Sequence, residues 1–342
     1  MSAQPDAATG VLAPEDFRVD EVPLYAPAGE GGHTFVLVEK RLRSTDDVAR
    51  ALARACGVRA RDVGYAGRKD RQAVTTQWFS VPGLAPDCAL ALSLPGARVL
   101  EAARHPHKLR TGHLRGNRFQ IAVRGGDVAA AQDALARLER VGMPNRFGDQ
   151  RFGRGGANPE RAHALLAGGP APGDRRQARF LLSALQAAVF NDVLAARAPR
   201  WDRVERGDVA VVHASGGLFL VDDPEAEAAR AAASEISPTG PIFGTRVLAP
   251  GGDVAECERA VLARHGIDPG NLRVPRGIRL RGARRSLRVR PQAASVGSTA
   301  DGLELCFTLP AGSYATVLLE EVLGAPARRR QPDDITSRSG VS

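Results

Sequence analysis

The sequence predicts an α+β fold interrupted by an inserted domain. Three observations carry that expectation. Strand-like and helix-like segments mix at both ends of the 342-residue chain. The middle is richer in helical periodicity. Between them lies a break in composition, MPNRFGDQRFGRGGAN (143–158). The length suits about two domains. We therefore expect a core over 1–145, an insert over 146–280, a return to the core over 281–326 and a disordered polar tail over 327–342.

Each element has its reason. PEDFRVDEVP (14–23) alternates Phe17, Val19 and Glu21 and reads as a strand. Glycine-rich APAGEGGH (26–33) then turns into the strand TFVLVEK (34–40), so a hairpin is expected. A helix follows. Thr45 can cap it, Val48, Leu52 and Ala55 share one face, and Gly57 ends it. TTQWFSV (75–81) and NRFQIAVR (117–124) are strands. Asp127 caps a helix through Val128, Ala131, Leu135, Leu138 and Val141. In the middle, 180–198 is apolar around most of its circumference and reads as a buried helix. DVAVVHA (208–214) and LFLVD (218–222) suggest a second hairpin. Strands return at SLRVR (286–290) and LELCFTLP (303–310), before a last helix, YATVLLEEVL.

The formal net charge of +9 favours a polyanionic partner. All but three basic side chains are arginine, the exceptions being Lys40, Lys69 and Lys108. Arginine's planar fork suits phosphate. Cys56, Cys88, Cys257 and Cys306 show no CxxC spacing, so no zinc site is expected. His105 and His107 flank Pro106 without a carboxylate cluster and suit a basic, RNA-facing loop better than a metal. The N-terminus lacks the order of a signal peptide, and no apolar run stands out as a membrane span. A cytoplasmic protein is expected. No lysine follows a glycine, which removes the phosphate-binding loop, and G-x-G-x-x-G follows no expected strand.

The stretch GYAGRKDRQA (64–73) sets one carboxylate, Asp70, between Lys69 and Arg71. Positive neighbours favour the anion that a nucleophile requires. An aspartate that closes a turn and pairs locally would look the same. In GNRFQI (116–121), Asn117 and Phe119 share a strand face. An amide beside an aromatic ring suits a flipped-out base, and a core phenylalanine would read alike. RFG occurs twice, at Arg146–Gly148 and Arg151–Gly153, as an RNA-binding surface or a hinge into the insert. HPHKLRTGHLRGNR (105–118) is a basic loop suited to a phosphate backbone.

Five segments, in order, resemble the TruD family of tRNA pseudouridine synthases: PEDFRVDE, GYAGRKDRQAVTTQWFSV, KLRTGHLRGNRF, VGMPNRFGDQRFGRGG and LPAGSYATVLLEEVL. They span residues 14 to 323. The resemblance implies a pseudouridine synthase core with a mixed, largely antiparallel sheet, interrupted by an inserted α/β TRUD domain. It implies that Asp70 is the nucleophile and that Phe17, Asn117, Phe119 and Tyr314 line the uridine pocket, with Lys69 among the substrate-binding residues. Arg68 and Tyr314 depart from the residues common at those positions. Tyrosine keeps the stacking face, and Arg68 could add a phosphate contact. The implied reaction isomerises uridine 13 in the D-arm of tRNA, without cofactor or metal and without a protein partner, by a monomer. A non-catalytic RNA-binding or chaperone protein is the competing reading; it has no need for an acid between two bases. A carboxylate-based hydrolase would want a second carboxylate, for which Glu21 is the one motif-borne candidate.

Overall fold

The computed structural model describes residues 13–170 and 174–324. The expected tail at 327–342 lies outside them. In chain order the elements are β1 (Phe17–Pro23), β2 (His33–Arg41), α1 (Thr45–Ala55), β3 (Gly64–Tyr65), β4 (Val74–Pro82), α2 (Pro86–Leu90), β5 (Ala97–His105), β6 (Leu114–Arg124) and α3 (Val128–Val141). Then come β7 (Met143–Pro144), α4 (Asn158–Leu166), α5 (Arg175–Ala196), β8 (Val209–Val212), β9 (Leu218–Leu220), α6 (Pro224–Ala232), β10 (Ile236–Ile242) and α7 (Gly252–Arg264). The last are β11 (Ala283–Ser286), β12 (Arg288–Val289), β13 (Gln292–Thr299), β14 (Gly302–Pro310) and α8 (Ala315–Leu323). They divide into two compact units. The second comprises Arg137–Arg290 and Ser313–Glu321, and the first holds the rest.

The first unit is built on an eight-stranded sheet in the order β13-β14-β6-β1-β4-β2-β5, with β3 beside β4. Only β1 and β4 run parallel; the other neighbours are antiparallel. The fold is therefore α+β with a mixed, largely antiparallel sheet. The expected hairpin of β1 and β2 does not form, because β4 lies between them. The reason is burial. Thr75, Trp78, Phe79, Ser80 and Val81 of β4 are all buried, from both of its faces, so β4 needs a neighbour on each side.

Register gathers a particular set of side chains on one face. Val19 faces Thr75 on one side and Phe119 on the other. Glu21 faces Asn117, Lys40 faces Thr75, and Phe307 faces Phe119. Side chains alternate along a strand, so Phe17, Glu21, Lys40, Gln77, Asn117, Phe119 and Phe307 share that face. Helix α1 packs on the same face. Its Val48, Ala49, Leu52 and Ala53 meet Val36 and Val38 of β2 and Phe79 and Val81 of β4. Val48 and Leu52 are buried, each stabilising the fold by about 1.5–3 kcal/mol. The cap of α1 is Ser44 rather than Thr45. Ser44 Oγ accepts from the Asp47 N–H, and the Asp47 carboxylate accepts from the Ser44 N–H at 3.0 Å, a reciprocal capping box. That arrangement releases the Thr45 hydroxyl for other work.

In the second unit, an antiparallel sheet runs β11-β10-β8-β9, and β7 pairs with β12. Helices α4, α5 and α7 share a core that includes Leu165, Leu181, Leu185, Val189, Val193, Val261 and Leu262. Helix α5 is long and apolar enough to cross a membrane, contrary to the expectation that no run stands out. Its leucines and valines are instead occupied in this core. Strand β10, ISPTGPI, is not expected, because Pro238, Gly240 and Pro241 argue against a strand. Strands β11 and β12 pair with β10 and β7, so the first unit resumes at Pro291, ten residues after the expected 281.

Candidate active site

The segment Gly64–Arg71 runs from β3 past the start of α1 and the end of β2. Of its two glycines only Gly64 is demanded by packing. A Cβ there would lie 2.2 Å from Leu109 O and 2.5 Å from Ser80 Oγ. A Cβ on Gly67 would meet nothing closer than Leu114 at 3.8 Å. What fixes the Gly67 end is its carbonyl, which accepts from Gln77 Nε2.

Buried polar groups hold the loop that carries Asp70. The Lys69 N–H donates to Thr45 Oγ1 at 2.9 Å, and Thr45 Oγ1 donates to Gln77 Oε1 at 2.9 Å. Gln77 is fully buried and Thr45 is 1% exposed. Lys40 Nζ donates to two backbone carbonyls, Asp70 O and Arg43 O, both at 2.8 Å. Lys40 is itself 1% exposed. Burial pulls its pKa down to about 8, a shift that Asp70 opposes and Lys69 reinforces. Asp70 is half-buried, with its backbone anchored by that ammonium.

Lys69 does not stand beside Asp70 as the linear sequence suggests. Its side chain turns inward. Nζ lies 2.9 Å from Glu21 Oε2 and donates to Asn117 Oδ1 at 2.6 Å. Both members of this ion pair are almost wholly buried. Burial pushes the Glu21 carboxyl up, and the Lys69 charge opposes that push. Glu21 is thus the counter-charge of a buried lysine, which leaves it a poor second carboxylate for hydrolysis. The pairing also orients Asn117. An ammonium only donates, so the amide oxygen must face Lys69, and the NH2 group is left to donate elsewhere. Arg71 is exposed and reaches Leu42 O at 3.4 Å, and Arg68 pairs with Asp46 at 3.0 Å.

Beside Asn117 stands a row of aromatic rings. Phe17 meets Phe119 edge-on at 6.2 Å, and Phe119 stacks on Phe307 at 5.2 Å. All three are buried. The sheet thus brings together Asp70, Lys69, Asn117, Phe17 and Phe119 of the expected site residues. Tyr314 belongs to the second unit. There its ring meets Phe147 edge-on at 5.8 Å, and the Arg285 guanidinium lies over the Phe147 ring at 4.2 Å. Phe147 of the first RFG is thus packed among Phe190, Tyr314 and Arg285.

Sequence reasoning missed Lys40, Phe307 and the role of Thr45. One signal for Lys40 was available. In a chain that writes nearly every cation as arginine, a lysine in a strand is an exception. Among the described residues, no group of three or more His, Cys, Asp and Glu is placed to hold a metal.

The family described as "tRNA pseudouridine synthase D (TruD)" matches residues 10–168 and 173–322 of this chain. The chain is similar to proteins named tRNA pseudouridine synthase D from Anaeromyxobacter sp. (strain Fw109-5), at 47% identity over 94% of each chain, and from a strain of Thermus thermophilus, at 46% identity over 92% of this chain and 88% of that one. A relative of the same name from Geobacter metallireducens is 43% identical over 90% of this chain and 93% of its own. A crystal structure titled as the putative tRNA pseudouridine synthase D from Methanosarcina mazei matches with a TM-score of 0.69 over 92% of this chain and 93% of that one, at 21% identity, and supports the fold. Ordered motifs, sheet and loop agree with these matches: the chain belongs to the tRNA pseudouridine synthase D family.

Proposed function

We propose that this protein isomerises uridine to pseudouridine in tRNA, at uridine 13 of the D-arm, with Asp70 attacking the flipped-out nucleotide. It acts as a cytoplasmic monomer and needs no cofactor. One observation carries the reading most directly. Asp70 is held on a loop whose backbone is fixed by buried Lys40, Thr45 and Gln77, on the sheet face that also presents Asn117 and Phe119.

The chemistry follows from those groups. The bond from ribose C1′ to uracil N1 breaks, C1′ joins uracil C5, the C5 proton leaves to solvent, and N1 takes up a proton. Atoms and electrons balance without an oxidant or a donor. Asp70 opens the sequence at the sugar, by attack on C1′ or by taking the C2′ proton. The detached uracil must stay in place while it turns. The rings of Phe17 and Phe119 offer it a flat apolar wall, and the Asn117 NH2 group donates to a uracil carbonyl. Lys69 acts through Asn117, holding its amide in the donating orientation. Unstacking the target costs a few kcal/mol. Arginine contacts to phosphate offset that cost, so affinity should fall steeply with salt.

The test is tritium release from a tRNA transcript labelled at uracil C5. Wild type should release tritium, with the product mapping to position 13. Asp70→Asn should release it at less than about one-thousandth of that rate and bind the transcript within about twofold of wild type. Substantial turnover by Asp70→Asn would remove Asp70 from the mechanism. Salt-sensitive binding without release by wild type would favour the non-catalytic RNA-binding reading.

A further inference from the structure

The first unit holds a concave site apart from the groups assigned to the proposed reaction. It is a cavity of about 440 Å³ lined by Tyr25, His105, His107, Lys108, Arg110 and His113. That volume falls in the usual range for small-molecule sites. None of the six lining residues is acidic; they are rings or cations.

Three pieces of chain build it. Tyr25 follows β1, His105 ends β5, and residues 107–113 lead into β6. The Tyr25 ring lies nearly parallel to the His105 ring, 5.2 Å away at 14°. Its hydroxyl meets His113 Nδ1 at 2.7 Å. His105 packs on Phe35 at 4.3 Å, and its Nδ1 accepts from the Ala28 N–H at 3.3 Å. An imidazole that accepts at Nδ1 carries its proton on Nε2, so His105 is set to donate from there. Burial, His107 and His33 together disfavour its charged form. His105 thus offers a ring face and a donor, while Lys108 and Arg110 supply positive charge.

The same segment is tied to the loop of Asp70. The Gly112 N–H donates to Ala66 O at 2.7 Å, and the Leu109 N–H donates to Ser80 Oγ at 2.9 Å. Four residues after His113 stands Asn117, roughly 13 Å on at the rise of an extended strand. A ligand in the cavity would therefore lie beside the target uridine rather than on it.

We propose that this cavity takes a second nucleotide of the substrate RNA, its base against the Tyr25 and histidine rings and its phosphate on Lys108 and Arg110. Flat rings, cations and no carboxylate are the chemistry that a nucleoside monophosphate unit requires. The source of that nucleotide, the RNA being modified, rests on the function proposed above.

The experiment measures transcript affinity across a salt series, together with the single-turnover rate at saturating enzyme. It compares wild type, the double variant His107→Ala/Arg110→Ala, and a control, Arg54→Ala/Arg124→Ala, on exposed arginines that do not line the cavity. The cavity variant should bind about tenfold more weakly, with a salt slope smaller by about 1, and turn over bound RNA at the wild-type rate. The control should keep wild-type affinity within about twofold. Unchanged affinity and slope in the cavity variant would overturn the proposal. So would an equal loss in the control, which would assign the effect to net charge. Adenosine monophosphate, titrated in a parallel arm and followed by the histidine NMR signals, separates the two sources of nucleotide. Saturable binding lost in the cavity variant, with transcript affinity unchanged, would make this a site for free nucleotide and overturn the assignment to RNA. Wild type that binds the transcript through the cavity and releases no tritium would defeat the proposed activity and leave the cavity assignment standing.

Discussion

The two units bury charge differently. In the second the buried cations are arginines, and two are closed off by carboxylates, while Arg288 donates to the carbonyls of Ala231 and Ile236. Arg197 spans both oxygens of Asp208 at 2.7 and 3.0 Å, and Arg284 spans both oxygens of Glu258 at 2.9 and 2.6 Å. Fork meets fork, the charges cancel, and few donors are left over. In the first unit the buried cations are lysines. Lys69 divides itself between Glu21 and Asn117, and Lys40 holds two carbonyls. These ammonium groups orient the Asn117 amide and the loop of Asp70, the groups on which the proposed reaction rests. A closed pair adds rigidity to a scaffold; an open network fixes groups that have something else to touch. All three lysines of the chain lie in the first unit.

The sharpest way to break this comparison is to strand one charge in each unit. Glu21→Gln leaves Lys69 buried without its counter-charge, and Arg197→Met leaves Asp208 in the same condition. Each should cost about 3–5 kcal/mol in urea unfolding. The double variant Glu21→Gln/Lys69→Met should recover much of that loss while staying inactive, because Asn117 is then free to turn. If Glu21→Gln costs less than about 1 kcal/mol, the pair is solvated and the contrast fails.

Lys40→Met comes next. Its burial penalty and its two carbonyl bonds oppose each other in stability, so the urea midpoint should move little. The rate should fall about 10- to 100-fold through the displaced loop. The pH dependence carries the signature. Lys40 titrates at about 8 rather than 10.5. Above that pH the charged donor that anchors the Asp70 and Arg43 carbonyls becomes a neutral amine and holds the loop less firmly, so the wild-type rate should fall there, and the fall should be absent in Lys40→Met. Stability should run the other way. Between about pH 8 and 10.5 the unfolded chain binds more protons than the folded one, so wild-type stability rises with pH across that window. The variant should lack that rise.

The smallest effect tests the helix beside the loop. Ser44→Ala removes the cap of α1 and should lower stability by about 1 kcal/mol, read as a shift in melting temperature. Hydrogen bonds from Ser44 hold the Asp47 carboxyl down at about 2. The stability they add is complete above the ordinary value of 3.8 and is lost as pH falls towards 2. Wild type should therefore lose stability across that acid window, and the variant, which keeps the backbone N–H bond and lacks the hydroxyl's, should lose less of it there.

Much of the first unit was legible because its strands alternate. Phe17, Val19 and Glu21, or Asn117, Phe119 and Ile121, announce a face by spacing alone. Partnership was not legible. Nothing in VEK says that Lys40 will reach the carbonyl of a residue thirty positions later, and nothing in GRKD says that Lys69 will turn away from its neighbour towards Glu21. Those facts arise when β4 comes between β1 and β2, which a pattern local to each strand does not encode. Strand β10 was hidden for the opposite reason. Pro238 and Pro241 are strong local signals against a strand, and pairing with β8 and β11 overrode them.

The stacking of Phe307 on Phe119 has a consequence for the life of the chain before it is finished. A ribosome has made Asp70, Lys69 and Asn117 long before it reaches the residue that covers their aromatic wall. The interval from Ile121 to Phe307 is 307 − 121 = 186 residues. At about 5–20 residues per second, that is roughly 10–40 s during which β6 has only one of its two neighbours. A nascent chain halted within the insert would present that edge, with Phe119 and Ile121 on it, to chaperones and to other nascent chains. Such intermediates are where aggregation begins. The place of the insert in the gene thus sets how long this sheet must wait, exposed, for its own last strands.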